Sequence, residues 1–389
     1  MNQDEERVSG PRTSGPLSGI RILEVGHILA APFAAMLLAD LGADVIKLET
    51  DEGDMSRQVA SPVVGGHNSY FASINRGKRS VRLELATAEG QAQLAELART
   101  AHALIVNLRP SAIRKYGLDY VSLRRHNPKI VAVALTGYGM DGDGADWPSF
   151  DYIVQAMSGV AMLTGEPDGP ATLAGYSAVD NSSGIMAALA LLAKVYEAER
   201  SGVGGQVDVS LFDTMLAQLN YKAASYLNGG GSSQRLPMGS HVFYVPAQLV
   251  ESADGYFALF VTHDEMWRAL CVEIGHEAWV TDPRFTTLQL RHDNREALLD
   301  LLIPVLRTAT SAEWVARLRP LGLPVGPVQT LDEALDSDFV AQRDLLVSLD
   351  TEDGPIRVVG SPLRFDGRRP RTTLPPRLHE HTAEILGGS

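Results

Sequence analysis

Two stretches in the first third of the chain follow one plan: a short apolar run, a stop, an apolar-periodic helix, and another apolar run. Residues 20–25 alternate and halt at Gly26, as a strand entering a loop does. Pro32 suits the first turn of a helix that runs through Phe33 to a stop at Gly42, and 44–49 is the next strand. The plan recurs as a strand at 80–85, a helix at 87–101 and a strand at 103–107, and a further strand lies at 130–135. Strands alternating with helices imply a mostly parallel sheet covered on both faces, so the fold class is α/β. Ligands in such sheets bind beyond the strand ends where the order reverses. The loops after Val25, Val106 and Leu135 are therefore where a site is expected.

A chain of 389 residues exceeds what one core supports, and two or three domains are expected. Residues 1–17 form a polar arm rich in Gly, Pro and Ser, expected to be flexible. The large domain takes 18–225. Composition turns small and polar at Gly229-Gly230-Gly231-Ser232-Ser233, which reads as a loop and a boundary. Strand-like runs at 242–250 and 256–261, helices near 264–274 and 294–308, and a capping box from Thr310 to Glu313 place a smaller α+β domain at 226–334. The proline-rich segment 335–389 is expected to be extended and to return to the large domain.

The net charge of −13 argues against a nucleic-acid partner, which needs a basic face, though it leaves room for a local basic pocket. Cys271 is the single cysteine, so no intrachain disulfide forms, and a reducing compartment is implied. The N-terminal arm lacks the apolar core of a signal peptide. Apolar runs such as 185–195 contain too few residues to span a bilayer. A soluble, cytoplasmic protein without a membrane partner is the expectation.

Several familiar chemistries fail. The first strand–loop–helix reads Gly26-His27-Ile28-Leu29-Ala30-Ala31 and lacks the glycine bed of a dinucleotide site. Gly77-Lys78-Arg79-Ser80 lacks the hydroxyl directly after the lysine that a phosphate loop requires. Ser177 misses the second glycine of a nucleophile elbow. The ten histidines show no metal spacing, and no metal is expected.

Asp180 stands where an irregular stretch becomes a strongly apolar helix. Read as the N-cap, its carboxylate meets free backbone N–H groups and the positive end of the helix dipole, which favour the ionised form. A carboxylate kept from bulk water is a nucleophile toward an activated acyl group. The competing reading is a capping aspartate with no chemistry, since Asp is a preferred cap.

Leu23 through Pro32, Leu38 through Glu49 and Gly53-Asp54 resemble the opening of the family III CoA-transferases, the CaiB/BaiF family, which includes formyl-CoA transferase and the α-methylacyl-CoA racemases. The likeness continues through Asn75-Arg76-Gly77-Lys78, Asn107, Tyr116-Gly117, Gly137-Tyr138-Gly139, the stretches 151–159 and 179–184, and pieces of the small domain. This resemblance implies a Rossmann-like large domain beside the small one and an interlocked homodimer. It places the family's nucleophilic aspartate on Asp180, which would attack an acyl-CoA thioester to give an aspartyl–acyl anhydride and then an aspartyl-CoA thioester. Coenzyme A enters as a co-substrate, with a carboxylic acid as acceptor.

By the same resemblance His27, Ile28, Leu29 and Ala30 line the pantetheine and active site. Lys78, Asn107, Lys115, Gly137 and Tyr138 fall on CoA-contacting positions, and Tyr138 matches an aromatic residue beside the nucleophile. Gly229, Gly230 and Gly231 match an active-site lid in some members. Leu29 stands where formyl-CoA transferase has Gln, which argues against a formyl or oxalyl substrate. The stretch from Tyr70 to Ser80 looks like members that use short dicarboxylates such as succinyl-CoA. The small domain departs from the common pattern at 241–246, which leaves a bulkier or less polar acid open. Racemisation needs a second base, and its histidine position here is Phe150, which cannot carry a proton. A non-catalytic acyl-CoA-binding protein is the remaining alternative.

Overall fold

The computed structural model describes residues 15–230 and 234–387, and they divide into two compact units. The first takes the chain up to Ser158, then Gly175–Ala223 and Phe339 onward; the second takes Gly159–Ala174 and Ala224–Asp338.

The first unit is built on six strands: β1 (Arg21–Val25), β2 (Asp44–Glu49), β3 (Arg79–Arg82), β4 (Ala103–Val106), β5 (Val131–Thr136) and β6 (Gly205–Ser210). They lie in the order β3-β2-β1-β4-β5-β6. Every pairing is parallel, with Ile22 opposite Val45 on one side and Ala103 on the other. Strands β4 and β5 are buried along their whole length, the pattern of a sheet covered on both faces. Chain order reverses at β1, so the loops after β1 and β4 diverge and leave a crevice between them.

Helix α1 (Ala30–Asp40) follows β1, α2 (Ser69–Asn75) and α3 (Ala88–Thr100) follow, and α4 (Asp151–Met157) precedes the long α5 (Ala178–Ser201), with α6 (Leu211–Gln218) after β6. Val179, Ser183, Ala187, Leu191, Val195 and Ala198 give α5 a buried stripe at helical spacing. Gly184 lets α1 approach: a Cβ there would lie 2.9 Å from the Ala30 carbonyl oxygen and 3.0 Å from the Phe33 ring. The 24-residue α5 is long and apolar enough to cross a membrane, which corrects the shorter run read from 185–195. Its buried stripe packs within the α/β unit.

Two strands late in the chain, Leu346–Thr351 and Gly354–Val359, form an antiparallel hairpin belonging to the first unit. Ile356 and Val358 bury against Ala72 on α2, so this segment is a paired ribbon where an extended tail was expected.

The second unit has a three-stranded antiparallel sheet, Val325–Pro327, Tyr256–Phe260 and Ala247–Glu251 in that order. Around it Trp267, Leu270, Phe285, Leu302 and Trp314 form a separate core. The capping box at Thr310 and Glu313 opens a helix over Ser311–Leu318. Residues 159–174 belong to this unit, whereas the boundaries at 18–225 had put them in the large domain. The reason is Arg235, whose guanidinium donates to the carbonyl oxygens of Ala161, Met162, Glu166, Gly169 and Pro170. A cation satisfied by carbonyls far upstream in the chain leaves no local signature.

Candidate active site

A cavity of about 270 Å³ lies at the C-terminal ends of β1, β4 and β5. His27, Ile28, Leu29 and Ala30 line it from the loop after β1, Asn107 and Arg109 from the loop after β4, and Gly137 from the end of β5. Asp180 closes it from the first turn of α5.

The β1 loop is held from several sides. Asn107 Oδ1 accepts the His27 N–H at 3.1 Å, and its Nδ2 donates to the His27 carbonyl at 3.0 Å. That uses about half of the amide's bonding capacity and leaves the rest free. Ile28 adopts φ +64°, and its N–H is accepted by Asp54 Oδ1 at 3.0 Å. Leu29 then serves as N-cap of α1 without a side-chain hydrogen bond to the helix. The first turn of α1 thus opens on the cavity with no side chain capping it, and its N–H groups are suited to an electron-rich oxygen.

Gly137 is required by close approach. A Cβ there would stand 2.4 Å from Ser149 Cβ, so only glycine lets residues 145–150 lie across the end of β5. This segment brings Trp147 and Phe150 into the cavity wall. Tyr138 does not line the cavity. It packs edge-on to Trp147 at 5.9 Å between ring centroids, and its hydroxyl donates to Met157 Sδ at 3.3 Å.

Asp180 is the third residue of α5, whose N-cap is Ser177. The capping anion is a different carboxylate. Asp151, almost fully buried at the start of α4, accepts the N–H groups of Val179 and Asp180 at 2.8 and 3.1 Å through Oδ2. Its Oδ1 accepts from Gln155 Nε2 at 2.5 Å. The N–H groups expected to favour ionised Asp180 are therefore taken by Asp151. Burial, and next the Asp151 charge, push the Asp180 carboxyl up to about 7, the reverse of the expected direction. Tyr70 on α2 lies in the same field: burial first, and the Asp180 carboxylate second, raise its phenol.

Lys78, expected at a CoA-contacting position, does not line the cavity. It is buried, and its Nζ meets Glu24 Oε2 at 2.7 Å, Asn75 Oδ1 at 2.7 Å and the Pro32 carbonyl at 2.8 Å. An ammonium has three protons, and all three are used. Burial, opposed by Glu24, brings its pKa down to about 8. Lys115 is exposed, lies over the Tyr116 ring at 5.1 Å and stands outside the cavity wall. The cation that does reach the cavity is Arg109, two residues after Asn107, which the sequence pattern did not single out. Gly229, at φ +88°, and Gly230, whose N–H bonds the Ser225 carbonyl at 2.8 Å, close a helix C-terminus in the second unit. Gly231 lies outside the described residues.

A parallel sheet with a partly buried carboxyl at its strand ends defines an α/β protein whose candidate site lies where the strand order reverses, and the model of CoA-transferase family III matches residues 17–382. The chain belongs to that family, and it is a transferase of CoA between acids. It is 37% identical over 391 residues to the succinate–glutarate CoA-transferase of Agrobacterium fabrum, covering 97% of this chain and 96% of that protein. It is 32% identical to the acetyl-CoA:oxalate CoA-transferase of Acetobacter aceti, covering 96% of each. Among solved structures, a CaiB/BaiF family protein from Brucella suis superposes with a TM-score of 0.83 at 32% identity, over 96% of this chain and 99% of that one.

Proposed function

We propose that this protein transfers CoA from a short acyl-CoA to a carboxylic acid, with Asp180 as the nucleophile. The observation that carries this is the placement of Asp180: a partly buried carboxyl pushed up to about 7 on the wall of a cavity beside an uncapped helix start. A carboxylate of raised basicity is a stronger nucleophile than an ordinary one while remaining substantially ionised near neutrality. Asp180 Oδ attacks the thioester carbonyl carbon, the C–S bond breaks, and CoA departs as the thiolate, leaving an aspartyl–acyl anhydride. Thiolate attack on the aspartyl carbonyl releases the donor acid and forms aspartyl-CoA. The acceptor carboxylate then displaces the thiolate, which takes the acceptor acyl group from the new anhydride and frees Asp180. The N–H groups at the start of α1 are suited to the oxyanion that each attack creates.

The cavity's 270 Å³ suits the acyl-thioester end of the co-substrate. Arg109 at the wall, and Lys115 outside it, are cations of a kind that phosphates need. Leu29, Met55, Leu135 and Leu211 make much of the wall apolar, which supports an acyl chain of several carbons over formate or oxalate. Succinyl-CoA is the first donor to try, given the relatives named above. Racemisation is disfavoured because Phe150, in the same wall, has no proton to exchange.

The Rossmann-like reading of the first unit is supported by the β3-β2-β1-β4-β5-β6 order. A homodimer, interlocked as the resemblance implies, is supported by the outward stripe of α5. Ile185, Leu189 and Tyr196 recur at helical spacing and are 53%, 59% and 64% exposed, too apolar a row to face water alone.

Intact mass spectrometry with succinyl-CoA and hydroxylamine tests the nucleophile. The expected result is a hydroxamate on Asp180 that is absent from Asp180→Ala. An adduct that persists in the variant, or α-proton exchange with solvent without any adduct, overturns it.

A further inference from the structure

The uncapped start of α1 reaches the cavity because the chain turns sharply at Ile28. At φ +64° Ile28 is in the left-handed region, where a β-branched residue is strained and persists only if its surroundings over-determine it. Those surroundings are a buried set of charges beneath the loop. Asp54, fully buried, accepts the Ile28 N–H through Oδ1, and the same oxygen takes the Ser56 N–H at 2.8 Å and the Ser56 hydroxyl at 2.7 Å. Its Oδ2 meets Lys47 Nζ at 2.7 Å. Lys47, also fully buried, reaches Glu24 at 2.6 Å and the Gly26 carbonyl at 3.0 Å.

One ammonium and one carboxylate, bonded to each other, therefore hold the two ends of the three-residue segment from Gly26 to Ile28. Burial alone would raise the Asp54 carboxyl, but the Lys47 charge and the N–H donors hold it well below the carboxylate range. Burial would likewise lower the Lys47 ammonium, and Glu24 and Asp54 reverse that, so both partners stay charged. Neither Asp54 nor Lys47 lines the cavity. Buried ion pairs seldom add stability over an apolar pair, which directs attention to what this one holds in place.

We infer that Asp54, seated on Lys47, is a positioning residue for the transfer: it fixes Ile28 in the left-handed turn that keeps Leu29 and the first turn of α1 in the cavity that holds Asp180. This rests on the reading of Asp180 as the nucleophile. A glycine at position 28 would adopt the same φ without help. The turn and the clamp are then coupled, and the coupling is measurable.

The test is a double-mutant cycle in the full chain with Asp54→Ala, Ile28→Gly and the pair, read as the rate of hydroxamate formation on Asp180 with succinyl-CoA and hydroxylamine. With Ile28 present, loss of Asp54 is expected to slow labelling about tenfold, the scale of backbone strain released. In the Ile28→Gly background the same loss is expected to cost less than about threefold, whatever Ile28→Gly does by itself. Equal cost in both backgrounds overturns the inference.

Amide hydrogen exchange over residues 26–33 reads the loop without any chemistry. Faster exchange there in Asp54→Ala, with 264–273 unchanged, is expected; an unchanged loop overturns the inference even if Asp180 labels normally. Asp54→Asn keeps an acceptor for the Ile28 N–H without the charge, and serves if the alanine variant does not fold. Segment 26–33 is expected to stay protected in it, and exchange as fast as in an unstructured peptide also overturns the inference. Absence of labelling in the wild-type protein tells against Asp180 as nucleophile and leaves the exchange result to judge the clamp.

Discussion

Asp151 and Asp180 divide the start of α5 between them: one takes the N–H groups, the other the cavity. The division sets the protonation of Asp180, the nucleophile proposed above. Asp180 titrates near its ordinary 3.8 when unfolded and at about 7 when folded. The folded state therefore binds the proton more tightly, so stability falls as pH rises from about 4 to about 7, and the deficit is full above that. Asp180→Asn removes it. The variant is expected to match the parent in urea unfolding near pH 4 and to exceed it by on the order of 1–3 kcal/mol near pH 8. Activity has the opposite slope: the rate of Asp180 labelling should climb through pH 7 as the carboxylate ionises. Asp151→Asn removes the charge that adds to burial, so the midpoint of that pH–rate profile should move to lower pH; a midpoint that stays put would leave burial as the whole cause. The role proposed for Asp180 comes from the sequence, through the resemblance around it. Its protonation is not, because the competing carboxylate enters from 29 residues upstream.

Among the elements, α1 and α5 matter most, since one presents its uncapped start and the other Asp180 to a single cavity. Their crossing depends on Gly184, where even a Cβ would meet the Ala30 carbonyl at 2.9 Å. Gly184→Val is expected to force the helices apart and destabilise the protein by about 1–3 kcal/mol in urea unfolding, with labelling of Asp180 falling more steeply than the folded fraction. Loss of stability with full activity per folded molecule would mean that the crossing supports the fold without aligning the site. The strands of the parallel sheet are legible because alternation and buried apolar runs are local patterns. Strand β6 is less so: its burial is uneven, and its place beside β5 is set by a crossover through α4 and α5. Lys78 shows the converse error, in which a lysine in a motif looks like a CoA contact until Glu24, Asn75 and the Pro32 carbonyl are seen to consume its protons.

At the scale of the whole molecule, α5 has an unusual composition for a helix of a single chain: apolar residues occur both on its buried stripe and on its outward one. A helix apolar all round belongs in an interior. Met186 beside it, Ile153 and Met157 on α4 and Leu216 on α6 are also exposed, and these three helices pack on one another. An apolar surface built from three adjoining helices exceeds the scattered exposure that folded monomers carry. The homodimer proposed above would cover it, because a two-fold interface sets the same surface against itself. Leu189→Glu places a charge in the middle of the stripe without touching Asp180 or the buried face. It is expected to shift the protein from dimer to monomer in sedimentation at micromolar concentration, since an unpaired charge buried at an interface centre costs several kcal/mol. Wild-type protein that sediments as a monomer would remove the dimer and require another cover for α5. A variant that stays dimeric would move the interface off this stripe. Asp180 labelling in the same samples separates the two roles of the helix: dissociation with labelling retained means that each chain holds a complete site. Dissociation with labelling lost means that the partner completes it.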